Sequence, residues 1–134
     1  MSDNTILPER HYLDAHIPVH DWVVSYAYGA KPIYRLVFRL DMLNISKLSI
    51  RLLGRKWTIV DAKGNVHIVE ADHVFGQDPM LPPSGVFAYG GRQDFEQVPV
   101  SMELRFFGID QMLTPFITRP IHLPKHPSLL KKRT

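Results

Sequence analysis

Tyr34-Arg35-Leu36-Val37-Phe38-Arg39-Leu40-Asp41-Met42 is the stretch whose pattern decides the fold. Tyr34, Leu36, Phe38, Leu40 and Met42 fall on one side of an extended chain, and Arg35, Arg39 and Asp41 fall on the other. A period of two marks a half-buried β-strand, because successive side chains of an extended backbone point to opposite faces. Upstream, Trp22, Val24, Tyr26 and Tyr28 alternate with Val23, Ser25 and Ala27, and Gly29-Ala30-Lys31-Pro32 supplies the turn between the two strands.

The same reading extends downstream. Asn44-Ile45-Ser46-Lys47 is a turn, Ile50 and Leu52 begin a strand, and Trp57 and Ile59 continue it on one face beyond a Gly54 that marks a bulge. Asp61-Ala62-Lys63-Gly64-Asn65 carries hairpin chemistry, and Val66 and Ile68 resume the alternation after it. Gly76 to Gly85, with Pro79, Pro82 and Pro83, reads as a long loop, because proline cannot donate to a central ladder. Phe87 and Tyr89 form a short strand ended by Gly90-Gly91. Val98, Val100, Met102, Leu104 and Phe106 alternate again, and Phe116, Ile117, Ile121 and Leu123 form a last segment.

About seven short antiparallel strands joined by turns predict an all-β sandwich of the immunoglobulin-like or fibronectin type III-like kind. A chain of 134 residues suits one such core, and eleven prolines and eight glycines favour short strands over long helices. Residues 1–21 show no sustained period and are expected to form a partly disordered arm, dispensable for folding up to about residue 15. Residues 22–124 are the sandwich, and 125–134 are a basic tail with Lys125, Lys131, Lys132 and Arg133. Trp57 is expected between the two sheets.

Composition also bounds function. The absence of cysteine excludes disulfides, thiolate catalysis and thiolate metal sites, and it fits a reducing cytoplasm. No apolar run reaches the length of a membrane span, and the N-terminal stretch has no secretory pattern. A net charge of +3, gathered largely in the tail, is weak ground for nucleic-acid binding.

The block Leu52-Leu53-Gly54-Arg55-Lys56-Trp57-x-Ile59-x-Asp61-x-x-Gly64 resembles the arginine, tryptophan and aspartate-to-glycine signature of the ApaG family. Leu36-x-Phe38-x-Leu40-x-Met42-x-Asn44 resembles the family's strand ending in asparagine. Gly76-x-x-Pro79-x-Leu81-x-Pro83 with Phe87-x-Tyr89, and then Met102, resemble its proline loop and later strands. The resemblance implies an immunoglobulin-like or fibronectin-like sandwich. It also implies kinship with domains found fused in F-box-type and polymerase-interacting proteins, and an association with cobalt and magnesium handling. Where the family carries G-x-G-x-x-G, this chain has Ala71-Asp72-His73-Val74-Phe75-Gly76, and Ser84 stands where a glycine is usual. Loss of two glycines and gain of Asp72 weaken any anion nest there, so pyrophosphate is expected to bind weakly or not at all.

No catalytic residue is expected: no serine lies in a G-x-S-x-G elbow, and carboxylate pairs are scattered. The candidate ligand contacts are Arg55, His73, Gly76 and Gln77; Arg55 shares a face with Trp57 and either caps the sandwich edge or holds an anion. His11, His16 and His20, with Asp14 and Asp21, are the candidate metal ligands, although Pro18 opposes a helical presentation of His16 and His20. No cofactor is implied. The expectation is a non-catalytic binding module whose partner is another protein, with a homodimer left open. The alternative is a small-molecule protein for pyrophosphate-containing ligands or divalent cations.

Overall fold

The computed structural model describes residues 7–26 and 31–130. Nine strands follow in order: β1 (Leu13–Ser25), β2 (Ile33–Asn44), β3 (Ile50–Val60), β4 (Val66–Ala71), β5 (Met80–Leu81), β6 (Val86–Phe95), β7 (Ser101–Asp110), β8 (Pro115–Ile117) and β9 (Ile121–His122). Six of these are long strands, and β5, β8 and β9, pieces of two or three residues, carry the count past the expected seven. One sheet has the order β1-β2-β6; the other has the order β4-β3-β7-β8, with β5 on β3 and β9 on β7. All these strand pairs are antiparallel, and the two sheets form the expected immunoglobulin-like sandwich.

The core lies where the alternating faces meet. Leu36, Phe38, Leu40 and Met42 of β2 are buried against Ile50, Leu52 and Trp57 of β3 and Met102, Leu104 and Phe106 of β7. Trp57 is only 5% exposed, and its ring meets that of Phe38 edge-on across the sheets at 6.3 Å. Inward residues of β3 are even-numbered at Ile50 and Leu52 and odd-numbered at Trp57 and Ile59, so the strand must gain one residue between them. It does so at the bulge between Leu52 and Gly54. A Cβ at Gly54 would lie 2.6 Å from the Ala71 carbonyl oxygen, which is why glycine stands there.

Asn44, buried at the end of β2, holds the loops at one end of the sandwich. Its Nδ2 donates to the carbonyls of Leu48, Leu81 and Pro82 at 2.8, 2.9 and 3.2 Å, and its Oδ1 accepts from the N–H and hydroxyl of Ser46 at 2.9 and 2.7 Å. A buried amide satisfied on both sides specifies one arrangement of the chain. Ser84, in the adjoining loop, sits at φ +66, in the left-handed region that favours glycine.

Two sequence expectations change. Residues 13–21, assigned to the arm, form the first part of β1, which pairs with β2 from Leu13 to Ser25. Further upstream, the Arg10 N–H donates to the Ile117 carbonyl and the Ile117 N–H to the Pro8 carbonyl, both at 2.9 Å. The segment before β1 thus extends the other sheet. Leu13 is buried in the core, and the Tyr12 hydroxyl donates to the carboxylate of Asp110 at 3.0 Å. Burial pushes the Asp110 carboxyl up, but the hydrogen bonds from Thr114, Tyr12 and Met112 outweigh it and leave the group below its ordinary range. The second change is Gly90-Gly91, which is not a turn. The pair lies within β6, opposite Arg39 and Phe38, where a side chain on Gly91 would run into the Tyr89 ring.

Candidate functional site

The hairpin after Asp61 builds an unusual edge. The Asp61 carboxylate accepts from the N–H groups of Lys63 and Asn65, each at 2.9 Å, and Gly64 adopts φ +86. The hydrogen bond from the His67 ring and those from the turn backbone hold the Asp61 carboxyl down at about 2. This turn sends β4 back along β3 in an unbroken register from Val60↔Val66 to Arg55↔Ala71. Nothing among the described residues pairs with the outer side of β4. Val66, Ile68 and Val69 are 58%, 56% and 53% exposed, so the strand shows apolar side chains on both faces along with its open backbone. Alternation in Val66 and Ile68 was visible in the sequence. Their exposure follows from their place on the outer face, opposite Val60 and Thr58, whereas Val69 is exposed although it shares the inner face with Trp57.

The candidate ligand residues gather at the other end of β4. Val74 and Gln77 exchange backbone hydrogen bonds across a tight turn at 2.7 and 3.0 Å, with Phe75 at φ +54 and Gly76 at φ +82. The Gly76 N–H donates to Nδ1 of His73 at 2.8 Å. The N–H groups of Val74, Gly76 and Gln77 are therefore spent inside the turn. Positive φ at Phe75 is a strained state for an aromatic residue. Its ring stacks on Tyr89 at 3.6 Å and 6°, while the Arg55 guanidinium lies over it at 4.7 Å from the centroid. Nε and Nη1 of Arg55 are buried without a hydrogen-bond partner. The cation–π contact stands in their place, and it caps the end of the core above Trp57. The structure thus brings Arg55 to Phe75 and places Gln77 in the turn backbone, with His73 and Gly76 closing it.

The candidate metal residues lie across the molecule from β4. His11, Asp14, His16 and His20 line a cleft of about 450 Å³ together with Arg119 and His122. Sequence spacing had not placed Arg119 or His122 there; the packing of β1 beside the β8–β9 segment does. Among the described residues no three histidine, aspartate or glutamate side chains converge closely enough to hold a metal ion.

The solved structures with this shape include an X-ray structure of a Northeast Structural Genomics Consortium target, with a TM-score of 0.74, 18% identity, and coverage of 92% of this chain and 93% of that one. Another is the crystal structure of the putative ApaA protein from Bordetella pertussis, with a TM-score of 0.68, 19% identity, and coverage of 89% and 94%. At such identities these likenesses establish the fold alone. Among curated proteins, the ApaG protein of Azorhizobium caulinodans is 40% identical over 52 residues, which are 39% of this chain and 40% of that protein. The chain thus spans about two-fifths of that relative's length. The ApaG protein of Acidovorax sp. is 30% identical over 91 residues, covering 68% of this chain and 66% of its own length. The family description "ApaG domain" matches residues 26–107, which take in the Gly54-to-Gly64 block, the strand ending at Asn44 and the proline loop. The chain belongs to the ApaG domain family.

Proposed function

We propose that this chain is a non-catalytic protein-binding module that recruits its partner by adding an extended segment to the outer edge of β4. The observation that carries the reading is the open ladder between Val66 and Ala71, flanked by three apolar side chains each more than half exposed. Edge strands are normally blunted against added strands, and an edge left open offers main-chain hydrogen bonds for affinity and alternating side chains for selectivity. The lack of cysteine fits work in the reducing cytoplasm, and no helix among the described residues is long and apolar enough to cross a membrane.

The ladder's phase tells which amides matter. The Asp61 N–H donates to the Asn65 carbonyl at 2.9 Å, so alternate pairs from there, Ile59–His67 and Trp57–Val69, are hydrogen-bonded. Val66, Ile68 and Glu70 then direct their N–H and C=O groups outward. Peptides selected from a random displayed library on the wild-type chain should protect these three amides from hydrogen exchange. They should also lose about tenfold or more in affinity for Ile68→Pro, which removes one outward donor. Selected peptides that bind Ile68→Pro unchanged, or that protect only the histidine cleft, would overturn the reading.

A further inference from the structure

We infer that the segment received by β4 is basic: an extended chain with lysine or arginine on the outer face that carries Ile68, Glu70 and Asp72, and β-branched residues at the alternate positions on the face that carries Val69. This inference rests on the β4 reading above and adds the chemistry of the partner. An added strand projects its side chains alternately to the two faces of the sheet, and each face of β4 ends in a hollow. On the outer face, a hollow of about 540 Å³ is lined by Leu53, Gly54, Glu70, Asp72 and Phe107. On the inner side, a groove of about 390 Å³ runs beneath Ile59 and Phe95 with Asp61, His67, Asp94 and Glu96 on its walls.

The charge in these hollows opposes that of the whole molecule. The chain carries +3 overall, yet no lysine or arginine lines either hollow. Asp61 is engaged by His67 at 2.9 Å and Asp94 by Arg35 at 2.7 Å. Glu70, Asp72 and Glu96 take part in none of the ion pairs among the described residues. Cations stand just outside the hollows: Arg35 on Asp94, and Lys56, opposite Glu70 in the ladder, with Arg105 beside it. Carboxylates left without partners beside an apolar, hydrogen-bonding edge fit cations arriving on the incoming strand, which sets orientation and suppresses acidic competitors. The apolar floor of the outer hollow, Leu53 and Phe107, suits the methylene stem of lysine or arginine. A second copy of this chain fits less well, because antiparallel pairing centred on Ile68 sets Val66 against Glu70.

The test uses the whole chain and three end-blocked, fluorescent eight-residue peptides that alternate valine with lysine, threonine or glutamate. Anisotropy gives affinity at low and high salt, hydrogen exchange gives the contact, and sedimentation gives the state of the free chain. The lysine peptide should bind at least about tenfold tighter than the threonine one, weaken with salt, and protect Val66, Ile68 and Glu70. The doubly reversed variant Glu70→Lys, Asp72→Lys should lose that preference and favour the glutamate peptide. Equal binding of all three peptides with the same protection overturns the basic partner and leaves the β4 reading standing. Lysine-peptide binding without protection of those amides overturns both, and so does protection by none of the three. A concentration-dependent dimer that protects the same amides and resists the lysine peptide assigns the edge to a second copy and overturns the inference.

Discussion

Among the described residues β1, β4 and β6 each have one side of the ladder unpaired, and β1 and β4 are built differently. β1 carries Pro18, a register shift between His16 and Val19, and the polar side chains Asp14, His16, His20 and Asp21. Each of these hinders a further strand: proline lacks a donor, a bulge breaks the repeat, and charge resists burial. β4 has an unbroken register, no proline, and one carboxylate, Glu70, in none of the ion pairs among the described residues, following three exposed apolar residues. Exposed valines occur on both, at 63% for Val19 and 58% for Val66, so hydrophobicity is not what separates them. The difference lies in backbone access. Three devices guard β1 and none of them is present on β4, which supports the proposal that β4 is an edge able to receive a partner.

Both edges depend on the same core, and the largest expected effect is there. Trp57 is paired with Val69 of β4 and packs on Phe38 of β2, so it supports the bare edge from below. Trp57→Ala should cost about 3 to 5 kcal/mol, measured by chemical denaturation, as large-to-small core changes do. A midpoint like that of the wild type would show that the two sheets do not meet on this residue. Next in size is removal of residues 1–15, which takes away the buried Leu13, the Tyr12–Asp110 hydrogen bond and the pairing of the segment before β1 with Ile117. A loss of roughly 2 to 4 kcal/mol is expected, mostly from apolar burial. Unchanged stability after truncation would return this segment to the status of a dispensable arm and would leave β1 as a guard that can be removed.

How far these features could be read from the sequence follows from where each strand lies. β2 and the Gly54-to-Gly64 block were legible because one face is fully buried and each irregularity is a single residue, the bulge at Gly54 or the turn at Gly64. The first half of β1 was not, because the devices that guard an edge, Pro18 and interspersed charges, also erase the period that announces a strand. β6 was cut short for a local reason: Gly90-Gly91 has the composition of a turn, but Gly91 lies against the Tyr89 ring inside the strand. The β4 edge was half legible. Alternation gave the strand, whereas the exposure of Val69, on the face shared with buried Trp57, depends on how far the opposite sheet reaches, a tertiary property.

A smaller effect tests the turn that delivers β4. The Asp61 carboxyl is held near 2 in the folded chain, below the roughly 3.9 of an unfolded aspartate. Its contribution is therefore fully present above about pH 4 and disappears as pH falls through 2. Asp61→Asn should melt below the wild type at neutral pH, and the gap should close as the pH is lowered from about 4 to 2. A gap that stays constant across that range would mean that the carboxylate does not stabilise the hairpin, and the register of β4 would need another cause.

The smallest expected effect is none at all, and it decides whether the functional half of the molecule is the β4 edge or the turn that follows it. Pyrophosphate should produce no measurable heat with this chain at neutral pH and modest salt. An anion nest needs successive backbone N–H groups that converge on one external point. Here the N–H groups of Val74 and Gln77 are bonded across their own turn, and that of Gly76 is bonded to the His73 ring. The φ of +54 at Phe75 is already committed to stacking its ring between Tyr89 and Arg55. The unsatisfied Nε and Nη1 of Arg55 are the donors that an anion would want, but they are buried beneath that ring. Asp72 adds a negative charge beside the turn. Binding would therefore require the strained turn to open, the aromatic stack to break and a carboxylate to be approached by a like charge, all for one guanidinium. Calorimetry showing micromolar affinity that is lost in Arg55→Gln, with the wild-type melting point retained, would establish that the turn does open. The bare edge would then be the rim of an anion site rather than a place for a second strand.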